Sequence, residues 1–297
     1  MPNQLLTPDN IAGTAAALVG KGLGLAALLH RDLEADFSAG SGDTVKVRVP
    51  GAIAVQTKGI YDTTTPLVRG SISEQSIDVK LTTHAYDSVV LSEGDMDLEI
   101  GDFAKQILLP QADAIVNYVE RTVAATLKAT PETELSYDPA APARVFTQIR
   151  RQLRDNGVPT TATLIAAVGS GVMADLIDGP IGSSGTTFDA DGKVRGFQIV
   201  ESTRLAANEI VAFVPEAFAL VIRAPASPDG APYSASVKSE GFALRHIRSY
   251  DPSLAVDTSL LSAFVGVQAM PLAIDNEDGT VTLKPNAGAV RVLTASV

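Results

Sequence analysis

The 297-residue chain has no cysteine, no tryptophan and only three histidines. Without cysteine there is no disulfide, no thiolate zinc site and no cysteine nucleophile, which fits a reducing compartment. Aromatic residues make up 5% of the chain and its formal net charge is −11. A single-strand nucleic-acid binder needs aromatic platforms in a basic groove, and an acidic chain is poorly suited to gripping phosphates over its whole surface. Long hydrophobic runs are also missing. Ile11 to Leu29 is rich in Ala, Leu and Gly, but it carries Lys21 and four glycines and has no basic segment ahead of it. It reads neither as a signal peptide nor as a membrane span, which needs ~20 mostly apolar residues.

Catalytic constellations are absent in the same way. Gly20-Lys21-Gly22-Leu23-Gly24 fails the P-loop spacing and lacks its Ser/Thr. Gly169-Ser170-Gly171 follows an apolar run, but residue 167 is Ala, so the nucleophile-elbow pattern fails and Ser170 reads as a helix cap. His30, His84 and His246 stand singly, with none at metal-ligand spacing. Asp189 to Gly192 and Asp275 to Gly279 fail the calcium-loop pattern and read as turns. The sequence therefore points to no catalytic residue, no cofactor and no metal.

What is present is a folded composition. Hydrophobic residues make up 45% of the chain, enough for one large domain or two ordinary ones. The longest helical pattern runs from Leu98 to Ala129, with Ile100, Phe103, Ala104, Ile107, Leu108, Ala112, Ile115, Val116, Val119, Val123 and Leu127 on one stripe. Asp113, Asn117, Glu120 and Arg121 fall on the other side. Pro110 implies a kink, or a break with Pro110 opening a second helix.

Around this spine the period changes. Thr7-Pro8 starts a helix with Ile11, Ala15, Leu18 and Val19 on one face; it is either packed on its own chain or laid on a neighbour. Val45, Val47 and Val49 alternate with Lys46 and Arg48 in a half-exposed strand. Gly51 to Gly70 is a polar, threonine-rich excursion, too long for an idle loop in a compact domain. Strand character returns at 76–82 and 89–91. Residues 143–224 read as α/β, with a helix burying Val145, Phe146, Ile149 and Leu153, then strands at 163–168, 197–200, 210–214 and 217–223. Strands dominate 225–297, with Asp278-Gly279 as a hairpin turn.

This order of parts resembles the major capsid proteins of tailed bacteriophages. Gly42 to Pro50 after Arg31-Asp-Leu-Glu, Asp102 to Ala112, Val194 to Ser202, and Gly241 to Asp251 followed by Phe264-Val-Gly-Val are similar to the coat branch of Salmonella phage twenty-two. The resemblance implies an α+β, Hong Kong 97-like capsid fold. Its parts would be an N-terminal arm (1–40), an extended β-hairpin loop (41–97), a long spine helix in a peripheral domain (98–142), an axial domain (143–224), and return strands of the peripheral domain with C-terminal strands (225–297).

The same resemblance implies a non-enzymatic shell protein, self-assembling as hexamers and pentamers around double-stranded DNA without sequence-specific binding. Scaffolding, portal and decoration proteins would be its partners. Its location would be the virion, after assembly in the host bacterial cytoplasm and without a membrane. Inter-subunit contacts would fall on Val55, Lys58, Ile60, Tyr61, Leu67, Val68 and Arg69 in the loop, and on Ile11, Leu18, Leu25 and Leu28 in the arm. Some relatives crosslink Lys to Asn, but no partner Asn can be named for Lys58, so that chemistry is not carried over. The alternatives are an encapsulin-like nanocompartment shell, a small hydrolase with unrecognised residues, and a β-rich adhesin or tail component.

Overall fold

The computed structural model describes residues 8–31, 42–49, 55–67, 69, 74–95, 103–179, 187–189, 191–231, 233–239, 242–276 and 280–294. In chain order the elements are α1 (Pro8–Gly22), β1 (Thr44–Val49), β2 (Gln75–Lys80), β3 (Thr83–Ser92), α2 (Leu109–Lys128), α3 (Ala143–Asp155), β4 (Leu164–Val168), α4 (Ser170–Asp178), β5 (Lys193–Val194) and β6 (Phe197–Glu201). There follow β7 (Glu209–Phe213), β8 (Phe218–Arg223), β9 (Ser234–Ser239), β10 (Phe242–Asp251), β11 (Val256–Ala269), β12 (Leu272–Asp275), β13 (Val281–Lys284) and β14 (Ala289–Leu293). They form two compact units. Unit 1 takes Met1–Asp43, Lys80–Leu127 and Ala219–Gln268; unit 2 takes Thr44–Val79, Lys128–Phe218 and Ala269–Val297.

Unit 1 is built on a sheet ordered β3-β11-β10-β9, with β8 also paired to β11. β3 was expected to belong with the loop hairpin. Instead it pairs antiparallel with β11 over its whole length, from Ser92↔Val256 to Thr83↔Val265. Just past the last pair, Gly266 lets β11 lie against the backbone ahead of β3: a Cβ there would lie 2.1 Å from the Lys80 carbonyl oxygen. α1 packs on β9 and β10, burying Ile11, Ala12, Ala15, Ala16 and Val19.

The helical pattern begins, among the described residues, at Phe103; Ile100 lies outside them. A π turn over Ala104–Leu108 runs directly into α2, with Pro110 as its second residue. The proline cannot donate its missing amide and crowds the preceding carbonyls, and widening the turn before it relieves both. So the helix is distorted but not broken. α2 then buries Ala112, Ile115, Val119, Val123 and Leu127 as one stripe.

Two polar residues of α2 are also inside. Glu120, expected on the solvent side, is 7% exposed, and its carboxylate accepts the amides of Gly24, Leu25 and Ala26 at 2.7–3.1 Å. Those amides open the 3-10 turn Leu25–Leu28, which has no side-chain cap of its own. The buried carboxylate caps it from another element. Gln111 exchanges hydrogen bonds with Ser259, whose hydroxyl lies 3.1 Å from His246 Nε2.

Unit 2 holds a sheet ordered β14-β7-β4-β6-β5. β4 and β6 are parallel, joined through α4; the other pairs are antiparallel. Every residue of β4 and β7 is buried, as expected of central strands read as continuous apolar runs. The C-terminal β14 joins this sheet and not the return strands of unit 1, with Val290↔Ala212 and Val292↔Ile210 in register. α3 buries Val145, Phe146, Ile149 and Leu153, as its spacing predicts, and the Phe146 ring sits 5.9 Å from that of Phe197. Arg195 and Gly196 both have positive φ, 52° and 86°, and close the two-residue hairpin between β5 and β6.

Two ladders complete unit 2, β1 with β2 and β12 with β13. Gln75 Nε2 donates to the Val281 carbonyl at 2.6 Å and ties the start of β2 to β13. The expected Asp278-Gly279 turn lies outside the described residues.

Candidate functional site

The chemistry-bearing residues noted in the sequence do not converge. Ser170 is exposed and is the first residue of α4, not its cap; Gly169 holds the N-cap position without a side-chain bond. The start of α4 is satisfied by backbone. The Gly169 amide donates to the Glu209 carbonyl, and those of Gly171 and Val172 donate to the Ala207 carbonyl. A Cβ on Gly169 would sit 1.8 Å from the Ala206 oxygen. The two glycines therefore serve a close backbone approach, and Ser170 takes no part.

His84 packs edge-on against Phe264 with ring centroids 5.0 Å apart. His246 is buried in the Gln111–Ser259 network, and burial, reinforced by the Arg248 charge, pushes its pKa down to about 4. Among the described residues no group of His, Cys, Asp or Glu could hold a metal ion. Two open clefts of unit 1, of about 220 and 310 Å³, are lined by β3 and its neighbours. They stand at or below the small end of ligand sites. No helix among the described residues is long and apolar enough to cross a membrane.

The unusual surface is the segment between β1 and β2. Val55, Ile60, Tyr61 and Leu67 are 88%, 95%, 94% and 81% exposed. Four large apolar side chains open to water within thirteen residues are more than a stray exposed Leu: they concentrate apolar surface in one short segment. Yet the segment has an organised backbone. The Asp62 amide donates to the Gly59 carbonyl at 3.0 Å, closing a turn. Asp62 Oδ1 then accepts the Thr64 amide, the Thr64 hydroxyl and the Thr65 amide at 2.9–3.1 Å. Lys58 Nζ donates across the loop to the Thr65 carbonyl at 3.0 Å. Hydrogen bonds from Thr65 and Thr64 hold the Asp62 carboxyl well below the usual carboxylate range, so it stays ionised in mild acid.

Of the loop residues expected to make contacts, Lys58 and Arg69 are both exposed, with the Lys58 ammonium bonded to its own loop; Val68 lies outside the described residues. Asp62, which organises the loop, was missed; its signal was the Asp-x-Thr-Thr spacing of an Asx turn.

The arm differs. Ile11 and Leu25 are buried against their own chain, with Leu18 and Leu28 half-buried. Ile11 offers no free surface in this chain, because α1 covers β9 and β10 with its stripe, and Leu25 is buried in the 3-10 turn that Glu120 caps.

No family model matches the sequence, and no curated protein matches it. Solved structures do match. A chain of Mycobacterium phage Che8 superposes with a TM-score of 0.59 at 17% identity, covering 91% of this chain and 90% of that one. The capsid of cyanophage P-SCSP1u gives 0.56 at 13% identity, covering 91% and 87%. A virus-like particle from Pyrococcus furiosus gives 0.52 at 12% identity, covering 95% and 97%. The likeness spans nearly the whole of each chain, so the chain has the mixed helix-and-sheet fold of phage capsid subunits.

Proposed function

We propose that this protein is the major capsid protein of a tailed phage, assembling into the icosahedral head shell around double-stranded DNA. The observation that carries the reading is the joint one. A capsid-subunit fold over nearly the full chain bears an ordered loop whose apolar side chains have nothing of their own to pack on. A shell subunit needs such surfaces and no active site. In this reading residues 1–40 are the arm, 41–82 the extended loop, with β3 belonging to the sheet of unit 1, 98–142 the spine and peripheral domain, 143–224 the axial domain and 225–297 the remaining strands. Val55, Ile60, Tyr61 and Leu67, with Val68 and Arg69, meet a neighbouring subunit in hexamers and pentamers. The role is structural and not enzymatic. The shell forms in the host cytoplasm, with scaffolding, portal and decoration proteins as its partners, and takes no cofactor. The DNA is enclosed without sequence-specific contacts, in keeping with the net charge of −11.

A second reading is favoured by the likeness to the Pyrococcus furiosus virus-like particle, namely a cellular nanocompartment shell that holds protein cargo. Deleting residues 59–70 tests the assembly role. The shortened chain is expected to fold, with an unchanged circular dichroism spectrum, and to form no shells; intact shells from it would refute the role given to the loop. The contents of shells from cells expressing the full set of partners then separate the readings, packaged genome for a phage head and protein cargo for a compartment.

A further inference from the structure

α3 separates its residues by chemistry. At ~100° per residue, its buried Val145, Phe146, Ile149 and Leu153 occupy one arc, and Arg144, Arg150, Arg151 and Arg154 occupy another of about 120° on the far side. Arg144, Arg150 and Arg151 are exposed. Arg150 Nη1 donates to the Arg195 carbonyl at 3.0 Å, which brings the exposed Lys193 and Arg195 of the β5–β6 hairpin beside the helix. The carboxylate of α3 is Asp155, 3.5 Å from Arg151. In a chain of net charge −11 this is a concentrated basic face.

The same unit carries a surface of opposite sign. The linker after α2 exposes Glu134 and Asp138, and between them the Tyr137 hydroxyl donates to Asp175 of α4 at 2.6 Å. That bond fixes the linker beside α4, whose Asp178 is also exposed. Burial, then the bond to Asp175 and the charges of Asp175 and Asp138, push the Tyr137 phenol upward. On α4, between Asp175 and Asp178, Ile177 stands 67% exposed.

We propose that the arginine face of α3 docks head-to-tail on the α4–linker face of a second copy, with Ile177 as the apolar centre of the contact. The inference rests on the shell reading above and names one of its subunit contacts. Two different, complementary patches on one unit suit a heterologous, ring-closing interface. A two-fold contact would set arginines against arginines. Guanidinium forks pair carboxylates in fixed geometry, which sets register as well as sign. A nucleic-acid duplex would match the arginines, but it leaves the acidic face and the exposed Ile177 without a role.

The test is charge reversal on the full chain, read by sedimentation and electron microscopy. Arg144→Glu with Arg151→Glu, and separately Glu134→Lys with Asp178→Lys, change exposed residues and should leave circular dichroism unaltered. Each pair is expected to raise the protein concentration needed for assembly by about tenfold or more. Combining all four reversals in one chain, which sets glutamates on α3 against lysines on the α4–linker face, is expected to restore particles. Reversed chains that each assemble like the unaltered protein would overturn the inference alone. So would an arginine-reversed chain that loses binding to duplex DNA while assembling normally. An unaltered chain that forms no shell with its partners present would overturn the shell reading, and this inference with it.

Discussion

β4 and β7 on one hand and the loop 55–69 on the other belong to the same unit and are held in opposite ways. In the two strands every residue is buried and the ladders run through the middle of a five-stranded sheet. In the loop the large apolar side chains are out, and the order comes from one carboxylate accepting three donors. Burial fixes the strands through surface removed from water. Local hydrogen bonding fixes the loop while leaving its apolar surface unspent. In the proposed shell such a segment would dock at low cost, because its backbone is already ordered and only side chains have to be immobilised.

The contrast is sharpest if one residue is changed on each side. Phe213 is fully buried, with its ring 5.5 Å from that of Phe218. Phe213→Ala should cost about 3–5 kcal/mol in urea unfolding. Tyr61→Ser should cost less than ~0.5 kcal/mol in the same experiment, yet impair shell formation. Comparable losses of stability from both would dissolve the distinction.

A smaller effect separates the buried polar network of unit 1 from the exposed carboxylates. The folded pKa of His246, about 4, lies below its unfolded value near 6.5. As pH falls from about 6.5 towards 4, the unfolded chain takes up the proton first. The stabilisation, complete above pH ~6.5, is therefore lost across that window, by on the order of 3 kcal/mol. Asp62, Asp95 and Asp251 have carboxyls held below their ordinary range and lose their contributions only at lower pH. Unfolding free energies measured from pH 7 to 4 should slope downward, and His246→Gln should flatten that slope. An unchanged slope in the variant would assign the acid sensitivity elsewhere.

The smallest effect tests the loop framework itself. Asp62→Ala should leave global stability within ~0.5 kcal/mol. It should raise the concentration needed for assembly by roughly three- to tenfold, the cost of ordering the loop on contact. An unaltered threshold would mean that the loop is ordered by its partner alone.

The elements that periodicity can reach were legible. The stripes of α2 and α3, the runs of β4 and β7 and the alternation of β1 follow from side-chain spacing alone. What spacing cannot reach are partners far along the chain. Glu120 looks like a surface residue until the amides of Gly24 to Ala26, almost a hundred positions away, turn out to need it. β3 looks like the second arm of a hairpin, and only the register with β11 places it in unit 1. β14 could have closed either sheet, since Val290 and Val292 fit any central strand. The loop was identified by its length and polarity, while Asp62 was overlooked among its threonines. Polar anchors of this kind carry no period; they are set by which backbone groups the fold leaves unpaired.

The most direct test of the central claim is electron microscopy with sedimentation of the unaltered protein produced together with its assembly partners. Closed shells tens of nanometres across are expected, abolished by removal of residues 59–70. A protein that stays a small, monodisperse species under those conditions, with or without the loop, would contradict that claim.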